Sequence, residues 1–403
     1  MTEEKQTSLP VAIAFGLIAC VLYGFGAGLR ADIGILLNPL AQQYGCSYAD
    51  ASLCIAVMQI VFGATQPLFG ILASRRSNRF VLLVGVVFLA ASLIGMACSH
   101  SYPLLMLFLG IVFGAGAGAV GFGLVLTSAM HFVGPKWAMT VSGMLNAAAG
   151  LVGFVLSPTL QALLDALGTA GALFSLLVPV VILVPIVFVV TSRDKRAIAE
   201  AKKADEAGEG KPKGSLKDAF KNRTFLLLIA GFSTCGFHMV IIESHLFNQF
   251  VSFGIEQTAS SWAFSVYGIA TILGALLSGW LSTRVRMGRL LGFYYGFRAV
   301  WVIVFLLCMP KTLPFAVLFS IGLGLTGDAT VSPTSGLVNA NFHMSQVATL
   351  IGVLFFCHQI GAFLSAWLGG VILDATGGYT LLWVIDIVLC VFASFMSLRI
   401  RES

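Results

Sequence analysis

Charge is what this chain has least of. Only 10% of its 403 residues are Asp, Glu, Lys or Arg, while 58% are hydrophobic and the mean hydropathy is +0.96. A soluble domain carries roughly 25% charged residues, so this sequence has too few to cover a water-facing surface. The spacings of several common chemistries are missing too. The eight cysteines are scattered, with no CxxC pair and no Cys/His zinc spacing, which argues against a disulfide framework or a structural metal. No P-loop or GxGxxG turn occurs, so nucleotide binding and ATP-driven pumping are not expected. His-Glu-x-x-His is absent although His238, Glu243 and His245 share one segment. The chain is therefore read as a non-enzyme that needs no cofactor and no metal. The first ten residues are polar, with no basic cluster ahead of a short apolar core and no small-residue cleavage site. The first apolar stretch is accordingly expected to be a permanent helix.

What the sequence has in excess is apolar length. In lipid each backbone polar group must be satisfied internally, and a helix of about 20 apolar residues does this. Continuous runs favour helices over a β-barrel, whose strands would alternate over short segments. Twelve spans are expected, near 11–40, 51–73, 80–98, 104–130, 140–164, 170–192, 224–248, 258–283, 290–309, 313–339, 347–373 and 379–398. The fold class is thus an all-α integral membrane protein. Basic residues fix its orientation, because cytoplasmic loops accumulate Lys and Arg. Alternate connections hold Arg75, Arg76 and Arg79, then Lys136, then the central loop, then Arg284, Arg286 and Arg289. Lys5 and the tail residues Arg399 and Arg401 fall on the same side, whereas the opposite connections hold Lys311 beside Asp50, Asp165, Glu256 and Asp374. Both termini are expected in the cytoplasm of a multi-pass plasma (inner) membrane protein. The net charge of +6 follows from this asymmetry, so no nucleic-acid partner is invoked.

Residues 193–223 interrupt the apolar pattern with ten Lys/Arg and six Asp/Glu. Such a stretch cannot bury enough surface to fold, so it reads as a solvated linker. It divides the chain into an N-terminal bundle (1–192) and a C-terminal bundle (224–403). Gly45 and the run from Gly70 to Arg75 in the first half recur as Gly254 and Gly279 to Arg284 in the second. The offset is a constant 209 residues. Parallel six-helix repeats of this kind surround a substrate site near the bilayer midplane.

Two six-span halves, a charged central loop and a Gly-x-Leu-x-x-Arg turn after spans 2 and 8 resemble the major facilitator superfamily, with Ser74 and Thr283 where that loop usually has Asp. The stretch Gly150, Gly153 and Pro158 in span 5 is similar to a gating motif of antiporters. Within the superfamily, the segments Gly28 to Gly34, Cys235 to Met239 and His358 to Gly370 are most similar to bacterial relatives of monocarboxylate transporters and oxalate/formate antiporters. The resemblance implies two pseudo-symmetric bundles that rock about a central cavity lined by spans 1, 4, 7 and 10, with Arg75 and Arg284 bracing the cytoplasmic side. It also implies a functional cation at Arg30. The arginine that holds the substrate carboxylate in span 8 of that family is replaced by Ala275.

Ionisable groups at membrane depth cost at least ~2.5–3.5 kcal/mol, so each needs a role. Arg30 offers a permanent, fork-shaped cation for a carboxylate; a structural pair with Asp328 or a helix carbonyl is the alternative. His238 and His358 are the further substrate candidates, and Asp328 and His358 the proton-coupling candidates, since His titrates near neutrality and a desolvated carboxyl holds its proton more tightly. Plain packing or ion pairing would also account for them. Arg298 and Asp386 lie in peripheral spans and are expected to pair with each other. Glu243 lies about 140° round a regular helix from His238, and with His245 it is read as bland, solvated polarity near the outer mouth. The function expected is secondary transport of a small organic anion with protons or by exchange, carried out by a monomer in lipid. A drug or neutral-metabolite efflux carrier is the alternative, and a non-transporting sensor a more distant one.

Overall fold

The computed structural model describes residues 9–134, 137–193, 219–342 and 344–400. Lys5, Lys136, Arg401 and most of the 193–223 linker lie outside the described residues.

Among the described residues, eleven helices are long and apolar enough to cross a membrane. The longest, Thr140–Val190, is really two, because Gly168 breaks it with φ 67°. Twelve spans result: α1 (Leu9–Ala31), α2 (Tyr48–Arg75), α3 (Asn78–Cys98), α4 (Tyr102–Val133), α5 (138–167), α6 (169–190), α7 (Arg223–Ser252), α8 (Gln257–Leu281), α9 (Met287–Leu307), α10 (Leu313–Asn341), α11 (Met344–Thr376) and α12 (Thr380–Leu398). Side-chain caps begin several of them. Ser47 and Asp50 form a reciprocal capping box at α2, Ser77 caps α3, and Asn222 caps α7 by accepting from the amides of Thr224 and Phe225.

The end of the bundle away from the linker, the distal end, is where the repeat is clearest. Gly45 and Gly254 both have left-handed φ, at 58° and 83°. Gly168 and Gly377 do as well, at 67° and 70°, and they too are 209 residues apart. A side chain at any of the four would be strained, so these turns depend on glycine.

The central spans are broken where the peripheral ones run on. After α1 ends at Ala31, a 3₁₀ turn (Ile33–Leu36) and a short helix (Leu37–Tyr44) carry the chain to the surface. A π-turn spans Met106–Phe113 of α4, which breaks again at Val120. A second π-turn, Ile242–Leu246, lies in α7, and α10 breaks at Gly327 before the 3₁₀ turn Asp328–Thr330. Broken helices at midplane leave backbone dipoles and side chains facing a cavity, which is how many secondary carriers build a site.

The halves meet at the distal end. Asn38 donates to Asn248 at 2.9 Å, and Asn248 donates to the Gly34 carbonyl at 2.8 Å. The Tyr48 hydroxyl lies 3.0 Å from His245 Nδ1 and accepts from Tyr379 at 3.2 Å, and Ala49 N–H donates to Asp374 at 3.0 Å. Gly150 of α5 and Gly268 of α8 touch backbone to backbone; a Cβ on Gly150 would lie 2.5 Å from the Gly268 carbonyl oxygen. Ser157 of α5 donates to the Ser261 carbonyl and Gln161 to Gln257 of α8 on the same side, so the molecule is shut at its distal end.

Candidate functional site

Arg30 is the last cation of α1, one residue before that helix ends. Its Nη1 donates to Glu243 Oε2 at 2.8 Å and its Nη2 to Oε1 at 3.1 Å, a two-pronged pair across the halves. Nη1 also donates to Gln59 Oε1 of α2 at 3.0 Å, and the guanidinium lies 5.0 Å from the centre of the Phe62 ring. The Arg30 side chain is 18% exposed and Glu243 6%, so the pair is largely buried between the halves.

Glu243 corrects the sequence reading twice over. It is buried at the centre instead of solvated near the mouth, and Arg30 pairs with it instead of Asp328. The span is longer than expected, running on to Ser252, and every residue from Thr234 to Phe250 is buried, so Glu243 lies well inside the bundle and no face of this stretch meets solvent. His245 is buried as well, between the Tyr48 hydroxyl and the Ala366 carbonyl (3.0 and 3.1 Å).

Asp328 lies just past the Gly327 break of α10, and His358 lies on α11 against Phe232, ring centres 5.0 Å apart. Both are half-buried, and each interacts electrostatically with Arg30, with Glu243 and with the other. The structure thus brings Arg30, Asp328 and His358 within electrostatic reach of one another at the centre of the bundle. Next to them lies Asp32, 3% exposed at the end of α1, with Oδ2 buried and without a hydrogen-bond partner among the described residues. Its other oxygen would stand 3.7 Å from a Cβ on Gly153, so the Gly150–Pro158 stretch packs directly beside the site.

His238 does not join them. It is 0% exposed, and its Nδ1 lies 2.8 Å from Asp386 Oδ2 in the interior of the second half, beside Trp383. Asp386 is consequently the partner of His238 and not of Arg298. His238, Asp386 and Cys390 have ligand atoms within 4.8 Å of one another, the spacing of a metal-type set, but the facing histidine and carboxylate atoms already bind each other directly.

Arg298 is fully buried and bonds to backbone. Its Nη2 donates to the carbonyls of Thr326 and Gly327 (2.7 Å to the latter), and its Nη1 to Cys235 Sγ at 3.3 Å. The break in α10 frees those carbonyls, and a cation at a helix C-terminus satisfies them and opposes the helix dipole. Arg298 thereby holds the backbone from which Asp328 projects. Arg75 and Arg284 are exposed at the linker ends of α2 and α8, the latter stacked 4.3 Å over Trp280. Sequence reasoning gave Glu243 a bland role and assigned none to Gln59 or Asp32; for the two acids the available signal was a carboxyl within an apolar span.

The Major Facilitator Superfamily model matches residues 12–252 and 246–403. The chain is 24% identical over 386 residues to the uncharacterized MFS-type transporter YcxA of Bacillus subtilis, covering 93% of this chain and 91% of that one. It is 21% identical to mouse monocarboxylate transporter 12 and 25% identical to mouse monocarboxylate transporter 11, covering 79% and 81% of those chains and 91% and 90% of this one. Its fold matches the crystal structure of a D-xylose-proton symporter with a TM-score of 0.76 at 13% identity, covering 98% of this chain and 99% of that one.

Proposed function

The chain belongs to the Major Facilitator Superfamily, and from that premise we propose that it carries a small, monocarboxylate-like organic anion by alternating access, coupled to protons or in exchange. One observation carries this reading. The arginine that reaches the cavity already grips a carboxylate, that of Glu243, with both prongs of its guanidinium. A site that fits the carboxylate of a side chain fits the carboxylate of a small solute, and an anion in this low-dielectric setting needs such a counter-charge. Monocarboxylate transporters among the relatives support the substrate class. Asp328 and His358, beside Arg30, are the groups assigned to proton coupling, and the protein is placed in the inner membrane as a monomer with cytoplasmic termini. The second reading, efflux of a drug or neutral metabolite, draws on Ala275, which leaves α8 without the family cation.

A thermal-shift panel on purified protein tests the choice, because a ligand that binds the folded state raises its apparent stability by mass action. Small carboxylates such as formate, lactate and oxalate should stabilise it. Stabilisation by lipophilic cations or neutral metabolites alone overturns the anion reading.

A further inference from the structure

Arg30 and Glu243 make an ion pair between the two halves, at the inner edge of the distal seal. The same guanidinium cannot hold both Glu243 and a substrate carboxylate by its two prongs. If a solute displaces Glu243 while that residue is ionised, a charge is left 94% buried without its partner, which is strongly unfavourable. If Glu243 takes a proton from water, it becomes a neutral acid and the guanidinium is free for the anion. We propose that Glu243 is a further proton site of the carrier, beside Asp328 and His358: ionised, it occupies Arg30 and holds the distal seam shut; protonated, it yields the guanidinium to the anionic solute. This deepens the anion reading above and rests on it for the identity of what replaces Glu243.

Charge balances in this exchange, since one anion and one added proton convert Arg30⁺/Glu243⁻ into Arg30⁺/anion⁻ with a neutral acid beside it. The two ligands therefore favour each other's binding, and the linkage is reciprocal. The geometry selects Glu243 over its neighbours. The titratable groups that face it are Arg30, Asp32 and Tyr23 from the first span, Tyr267 from α8, Asp328 from α10 and His358 from α11. Of the acids in this group, Glu243 is the one in direct contact with the cation. It is also the one whose contact ties the halves together, alongside Gly34, whose added Cβ would lie 2.6 Å from the Ser244 carbonyl oxygen. On α7 itself, His238 and His245 are turned to Asp386 and to Tyr48.

The seam can be read without any substrate. Cys98 and Cys308 are exposed at the distal ends of α3 and α9, in opposite halves. With the other cysteines replaced, spin labels on these two report the distal opening. Acidification from about pH 8 to about pH 5 should add a longer-distance population in the wild-type sequence. Glu243→Gln should show that population at both pH values. A wild-type distance that ignores pH, or a Glu243→Gln protein that keeps the full response, overturns the proposal. If Glu243→Gln does not fold, Arg30→Lys decides. Its ammonium cannot hold both carboxylate oxygens, so opening must occur at a less acidic pH, and an unchanged midpoint counts against the lock. The anion arm is separate. In the wild type, the apparent affinity for formate, lactate or oxalate should rise at least about fivefold on acidification and should be pH-flat in Glu243→Gln; an affinity that ignores pH in the wild type overturns the linkage. If none of the three binds while the seam still responds through Glu243, the anion reading fails and the lock stands.

Discussion

At the scale of single residues, the buried charges differ in what they hold. Arg30 faces the cavity, so Arg30→Lys should transport with weaker binding, because the charge survives without the fork. Arg30→Gln should abolish anion transport. It also strands Glu243, at a cost of about 3–5 kcal/mol for a broken buried pair, so its folded yield should drop and recover in Arg30→Gln with Glu243→Gln. Normal transport by Arg30→Gln would end the anion assignment. Asp386 has a purely internal partner. Asp386→Asn keeps a group that can bond His238 and should retain most of the folded yield, whereas Asp386→Leu should lose it, as detergent-solubilised monodisperse protein reports. Equal yields would show that the bond to His238 contributes little. The sequence marked Arg298 and Asp386 as buried charges in need of partners, which was sound. It could not assign the partners, because each found one through a third element: Asp386 through α7, Arg298 through the break in α10.

At the scale of elements, the seam depends on helices approaching backbone to backbone. A methyl on Gly150 would meet the Gly268 carbonyl oxygen at 2.5 Å in the distally shut form. Gly150→Ala should cost that form about 1–3 kcal/mol, as overpacking does, and move its population by roughly tenfold. Distances between Cys98 and Cys308 labels should lengthen accordingly, and an unshifted distribution would mean that α5 and α8 slide apart freely. The span 5 stretch was legible as a small-residue run, but its contact on α8 was not, since nothing in either segment names the other. The depth of Glu243 was likewise illegible, because the apolar run was expected to end at 248 and α7 runs on to Ser252.

At the scale of the whole molecule, a carrier whose site holds one cation among several acids should be pH-dependent. Asp328→Asn and His358→Gln should each reduce the response of uptake to a proton gradient at least about fivefold, the low end of site-to-site coupling. Two variants with wild-type responses would leave Glu243 as the coupling group without them. Orientation is testable through the 193–223 linker, which should be nicked by protease in inside-out vesicles and spared in right-side-out ones; the reverse result would invert the topology. The sequence by itself determined the membrane class, the twelve spans and the 209-residue repeat, because these follow from apolar length, turn glycines and spacing along the chain. Only the tertiary structure decided which buried charges meet. Arg30 and Glu243 are 213 residues apart, and their pairing depends on the two halves closing over each other, which no local pattern encodes.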